Sequence, residues 1–210
     1  MTLIDLSHTI RHGLVTYPGL PAPVVSDHLS REASKANYAP GTTFHIARVE
    51  MVANTGTYID APSHRWEGAP DIASLPLERL ADLEAIVVDG TAAPTASFRG
   101  CAVLFRTGWS RHFGTPAYGE GHPFLTLETA ERLIAGGAAL VGIDSLNIDD
   151  TRNRARPVHT RLLEARIPIV EHLTALDQLP RRGFRFFAVP AKFAGMDSFP
   201  VRAFAMIQSF

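Results

Sequence analysis

Between residues 42 and 53 the chain reads TTFHIARVEMVA, with Phe44, Ile46, Val49, Met51 and Ala53 set among polar residues. The end of this run alternates, placing Val49, Met51 and Ala53 on one face and Glu50 on the other, which predicts a strand over 42–53. Four later runs are short and continuously apolar: 85–89, 102–106, 139–143 and 167–170. Each predicts a strand buried on both faces. Residues 184–189 and 202–207 predict two more. Helical spacing is rarer. Thr126 is placed to cap LETAERLIAGG, where Ala130, Leu133 and Ile134 form a stripe and Gly136 or Gly137 ends it. A second helix is predicted over 157–166, with Leu162 and Leu163 facing inward and Pro168 forcing its end. Strands outnumber helices, and strand–helix–strand order recurs in the second half. The pattern predicts one α/β or α+β domain spanning residues 1–210, a sheet core with few helices.

Composition agrees with that picture and narrows the chemistry. The chain is 46% hydrophobic and 20% charged, as soluble globular proteins are. Twenty basic residues against twenty-one acidic ones leave a formal charge of −1. No basic excess exists to hold phosphate backbones or anionic lipid, so neither nucleic acid nor membrane is an expected partner. The start, MTLIDLSHTIRHG, is broken by acid and histidine, and no run reaches the length of a membrane helix. The expected location is the cytoplasm. Cys101 is the single cysteine, which excludes an internal disulfide or a thiolate cage. Nine histidines are where chemistry is to be sought.

The densest polar stretch is NTGTYIDAPSH, residues 54–64. It begins where the 42–53 strand pattern fades, so its side chains are expected at a strand end, with Gly56 allowing close approach and Pro62 stiffening the exit. Asp60 offers a hard oxygen ligand and His64 a general base; by spacing alone both read equally as surface hydrogen-bonders. A second cluster is His159 with Glu171 and His172. Glu171 follows a buried run, so its carboxylate must be paired, coordinated or solvated. A metal shared by Asp60, His159 and Glu171 satisfies that requirement, as does a salt bridge from Glu171 to an arginine. A third stretch, GIDSLNIDD, carries Asp149 and Asp150, which are expected to pair with Arg152, Arg154 and Arg156.

NTGTYIDAPSH resembles HxGTHxDxPxH, the signature of the bacterial cyclase-like family that includes kynurenine formamidase and isatin hydrolase. The likeness extends along the chain through Ile4 to His8, Tyr17-Pro18-Gly19, Leu104 to Trp109, His122-Pro123, Gly142-Ile143-Asp144, His159 with Leu162-Leu163, Glu171, and Pro200 to Ala203. The resemblance implies a swivelling β/β/α-type fold, a homodimer or homotetramer, and hydrolysis of a small amide or ester by metal-activated water. It also implies that the first two motif histidines and the aspartate bind metal, that the last histidine handles protons, and that His159 and Glu171 serve a second metal position.

Two of those ligands are replaced. The motif's first histidines stand here as Asn54 and Tyr58, and Asn offers only a carbonyl oxygen where imidazole would favour zinc. Asp60, His159 and Glu171 remain, a three-ligand set sufficient for one divalent ion, zinc or manganese. The alternative is no metal, with Tyr58 and Asn54 hydrogen-bonding Asp60 and Glu171 in its place. The expected activity is hydrolysis of a small cyclic or aryl amide or ester, with His64 moving the proton and Tyr17, Phe44 and Trp66 as walls for the substrate. Two other readings stay open: a metal-free lyase, cyclase or isomerase using His64 and Tyr58, and a non-catalytic ligand-binding protein. His45 and His172 read as structural, while His8 and His122 receive no chemical role.

Overall fold

The computed structural model describes residues 1–207. Along the chain run strands β1 (Thr2–Asp5), β2 (Val24–Leu29), β3 (Ile46–Glu50), β4 (Tyr58–Asp60), β5 (Leu83–Asp89), β6 (Ala102–Arg106), β7 (Leu140–Ile143), β8 (Ile169–Glu171), β9 (Phe184–Phe187), β10 (Ser198–Pro200) and β11 (Phe204–Ile207). Three α-helices join them: α1 (Arg31–Ser34), α2 (Leu127–Gly136) and α3 (Pro157–Glu164). The four continuously apolar runs become β5, β6, β7 and β8, the parallel centre of a nine-stranded mixed sheet ordered β1-β11-β9-β5-β6-β7-β8-β4-β10. Antiparallel strands flank that centre on both sides.

Continuous apolarity has its explanation here, because the central strands are covered on both faces. Val103, Phe105, Val141 and Ile143 pack under α2 and α3 through Ala130, Leu133, Val158 and Leu162. Leu104, Leu140 and Val170 point the other way, into a second core with Ile59, Leu173 and Phe186. Gly142 in β7 has no room for a side chain: a Cβ there would lie 2.7 Å from Leu173 and 2.8 Å from Leu104. Helix α2 begins and ends as its sequence specifies. Thr126 accepts from the Thr129 N–H, and Gly137 closes the helix at φ 74°.

Two expectations need correction. The 42–53 strand shortens to β3, and its alternation faces no core. It pairs with β2 alone as a two-stranded arm, all five of its residues exposed. Within the polar motif, Tyr58 to Asp60 form a fully buried strand between β8 and β10, rather than a strand-end loop. Its polar side chains concealed the strand because their partners lie more than a hundred residues away.

Behind β4 an aromatic cluster fixes the inner wall. His8 stacks on Phe113 at 3.7 Å between centroids. Phe113 meets Tyr118 and His172 edge-on, and the Tyr118 hydroxyl lies 2.8 Å from His172 Nδ1. Burial pushes His8 down to about 4 and His172 to about 3, so both are neutral at ordinary pH.

Two stability measurements follow from this packing. Gly142→Ala should lower the urea-unfolding free energy by about 1–3 kcal/mol, because both leucines it meets are fully buried. A midpoint equal to the wild type would contradict that crowding. A histidine depressed in the folded state favours the native form above its unfolded pKa and loses that contribution as pH falls from about 6.5 through about 4. His8→Phe keeps the stack but has no proton to gain, so its stability should fall less steeply across that window, by roughly one proton in slope. Equal slopes with chelator present would remove His8 as the cause.

Candidate active site

The site is assembled by register. Tyr58 lies directly opposite Glu171 across β4 and β8, and Asp60 lies opposite Ser198 across β4 and β10. Positions 58 and 60 share a face because strand side chains alternate. One short strand therefore presents a phenol and a carboxylate together, each beside a partner. The Tyr58 hydroxyl donates to Glu171 Oε2 at 2.5 Å, and the Ser198 hydroxyl donates to Asp60 Oδ1 at 2.5 Å.

Helix α3 adds His159 from above. Pro157 occupies the first helical position, and the helix start is capped from outside by Asp149, which accepts from the backbone N–H of Val158 (2.7 Å) and His159 (2.9 Å). The same carboxylate lies 2.7 Å from His159 Nδ1 and so fixes the ring. His159 Nε2 is thereby aimed between two acids, 3.6 Å from Asp60 Oδ2 and 3.6 Å from Glu171 Oε1. His64 closes the outer side from a 3₁₀ turn, Pro62–His64. Its Nδ1 is 3.1 Å from Ser198 Oγ and its Nε2 is 3.9 Å from Asp60 Oδ1.

Charge dominates this arrangement. Burial raises Glu171 to about 7, against the pull of the His159 imidazolium and the hydrogen bonds from Tyr58 and the Ile148 N–H. Burial likewise opposes a charged His159, but Glu171, Asp149 and Asp60 outweigh it and lift the ring to about 10. Asp60 is held below the ordinary carboxylate range: His64, His159 and Ser198 prevail over its burial. Burial and the carboxylates of Glu171 and Asp60 push the Tyr58 phenol well above its ordinary value, so it is a neutral donor.

The donor set suits one divalent cation. Asp60 Oδ2 is buried and has no hydrogen-bond partner. Ligand atoms of Asp60, His64 and His159 lie within 4.8 Å of one another, and Glu171 Oε1, outside that group, lies 3.6 Å from His159 Nε2. Carboxylate oxygens and imidazole nitrogen around one centre fit zinc or manganese. Around Glu171 Oε2 the described neighbours are hydrogen-bond donors. Tyr58 gives its proton to Glu171 Oε2, Asn147 Nδ2 approaches that oxygen at 3.5 Å, and neither Asn54 nor Tyr58 supplies an imidazole.

Asp60, His64, His159, Glu171, Tyr58 and Asn54 are thus brought together, although His64 stands nearer the prospective ligands than a separate proton carrier would. Tyr17, Asn54, Tyr58, His64 and His159 line an open cleft of about 380 Å³. The other two expected walls lie elsewhere. Phe44 is half exposed, its ring 4.8 Å from that of Tyr38, and Trp66 donates to the Thr160 carbonyl beneath Arg65. Neither lines the cleft. His45 pairs with Asp27 out on the arm, and His122 is tied to Pro123 and Thr151. Asp150 pairs with Arg152 as expected, but Asp149 does not reach an arginine: it turns inward to α3 and His159. Asp149, Asn147 and Ser198 are site residues that the sequence did not announce. A helix opening on Pro157 with no capping side chain of its own was the one available hint for Asp149.

Comparison with known proteins places this geometry. A kynurenine formamidase from Maricaulis maris (strain MCS10) is 29% identical over 217 residues, covering 95% of each chain. Isatin hydrolase A from Labrenzia aggregata, bound to benzyl benzoate, superposes with a TM-score of 0.82 at 22% identity, over 99% of this chain and 94% of its own. Isatin hydrolase A from Ralstonia solanacearum gives 0.79 at 23% identity, over 99% and 92%. The family model described as "Putative cyclase" matches residues 4–150, from β1 through the motif strand to the Asp149 loop. With that match over well more than half its length, the chain belongs to the cyclase family.

Proposed function

We propose that the protein is a hydrolase of small amides that works with a single divalent ion held by Asp60, His159 and Glu171. One observation carries the reading: His159 Nε2 stands 3.6 Å from both Asp60 Oδ2 and Glu171 Oε1, side chains of three separate elements, and the buried Asp60 Oδ2 accepts no hydrogen bond. Family membership and the kynurenine formamidase relative support amide hydrolysis as the reaction class. From the same resemblance we carry over zinc or manganese as the ion and a homodimer or homotetramer as the working form.

A divalent ion in this set supplies Lewis acidity, lowering the pKa of water toward neutrality and polarising a carbonyl. The chain's own groups divide the remaining work. Asp149 holds the Nδ1 proton of His159 and leaves Nε2 facing Asp60 and Glu171. Tyr58 and the Ile148 N–H anchor the two oxygens of Glu171, so its carboxylate cannot swing into the cleft. His64 stands at the cleft with its side chain 36% exposed, where a proton can be taken from attacking water and delivered to the departing nitrogen. Ser198 bridges His64 and Asp60 and sets the imidazole's orientation. The commitment of the Tyr58 hydroxyl to Glu171 speaks against Tyr58 as the base of a metal-free lyase or isomerase.

Elemental analysis of protein supplied with zinc or manganese should find about one equivalent per chain, lost in both Asp60→Asn and Glu171→Gln. No bound metal under those conditions would sink the single-ion reading. His64→Gln should retain the ion and lose roughly 10²–10⁴ in kcat on a panel of aryl amides, N-formylkynurenine and lactones. Loss of the ion in that variant would instead make His64 a ligand. Identical background rates for wild type and variant on every member of the panel would leave binding as the protein's only role.

A further inference from the structure

The cleft lined by His64 and His159 also carries two guanidinium groups, Arg65 and Arg156. Neither has a carboxylate within ion-pair distance among the described residues. Their partners are neutral. Arg156 donates to Asn147 Oδ1 at 3.2 Å and to the Tyr17 hydroxyl at 3.3 Å. Arg65 donates to Thr160 Oγ1 at 3.1 Å, and its guanidinium lies 4.7 Å over the Trp66 ring.

Arg156 is placed at some cost. It sits at φ 47°, in the left-handed region that residues other than glycine seldom adopt, immediately before Pro157. From there the side chain reaches back to the cleft. Asn147 then links it to the site, one end of the amide accepting from Arg156 and the other facing Glu171. The positive charge thus stands one side-chain amide from the prospective ligand carboxylate, with donors left for another acceptor.

We infer that the cleft takes a substrate carrying a carboxylate close to the bond it cleaves, with Arg156 and Arg65 as the residues that recognise it. A planar guanidinium matches a carboxylate with two parallel hydrogen bonds. Tyr17 and Leu20 supply the apolar surface of the same cleft, which suits an aryl or alkyl body behind the charged group. Asp60 and Glu171 stand 3.6 Å behind the cleft-lining His159, so a monoanion is favoured over a phosphate dianion. The inference rests on the hydrolase reading for its reaction, but not for its binding.

The test separates the two. Calorimetry with wild-type protein should show benzoate bound more tightly than benzamide or phenyl phosphate. The preference over benzamide should fall by about tenfold in Arg156→Met and also in Arg65→Met, whose exposed side chain can be replaced without disturbing the helix start. For turnover, formanilide, its ortho-carboxylate and its ortho-carboxamide separate charge from shape. Wild type should favour the carboxylate by about tenfold or more in kcat/KM, and the ratio should move toward one in both variants. Equal binding of benzoate and benzamide, or an undiminished preference in both variants, would overturn the inference. Tighter binding of phenyl phosphate would overturn its assignment to a carboxylate. Selective binding of benzoate without turnover of any anilide would sustain the anion site while removing the hydrolase reading.

Discussion

Three carboxylates meet one imidazole in a place nearly closed to water, and the rest of the site is arranged around that fact. Asp60, Asp149 and Glu171 are each almost fully buried, and His159 stands among them. An unpaired buried carboxylate costs several kcal/mol, so each oxygen requires a donor or a cation. The fold provides donors from the Ile148, Val158 and His159 backbone, and from the hydroxyls of Tyr58 and Ser198. Asp60 Oδ2 is the oxygen left over, and it faces His159 Nε2. A proton on that nitrogen compensates the carboxylates, and Glu171, Asp149 and Asp60 together lift the imidazole to about 10 against its burial. A divalent ion between the same groups would take over that role with greater charge.

Sheet topology makes this concentration of charge sustainable. The parallel strands β5 to β8 give a rigid apolar base, and Glu171 ends the last of them. Antiparallel β4 then lies alongside β8, so Tyr58 meets Glu171 by register rather than by side-chain search. A one-residue slip of β4 would turn Tyr58 and Asp60 into the opposite face and bring Ile59 into the site. Ile59 is fully buried in the core with Leu104 and Val170, so the hydrophobic packing that holds β4 also fixes the polar geometry.

The same reasoning explains what could be read in the sequence. The central strands were legible because burial on both faces leaves continuous apolar runs, and α2 because its caps are local. The candidate ligands were legible because the chain resembles a known family at those positions. The partners were not. Ser198 reaches Asp60 across 138 residues, and Asp149 reaches His159 from a loop rich in arginine. Arg152 does claim its neighbour Asp150, but a helix start that lacks its own capping side chain draws Asp149 inward. Alternation at 49–53 misled in the other direction. A strand does form, but only over 46–50 and on an arm where neither face is covered.

The replacement of two motif histidines by Asn54 and Tyr58 then has a physical meaning. An imidazole offers a lone pair to a cation, whereas a phenol held well above its ordinary pKa offers a proton. Tyr58 spends that proton on Glu171 Oε2, neutralising part of the charge that a second ion would otherwise balance. Glu171 Oε1 keeps the Ile148 N–H and still faces His159. The exchange therefore closes one side of the carboxylate and leaves the other available. A hydrogen bond between neighbouring strands thus decides which side of this carboxylate faces His159.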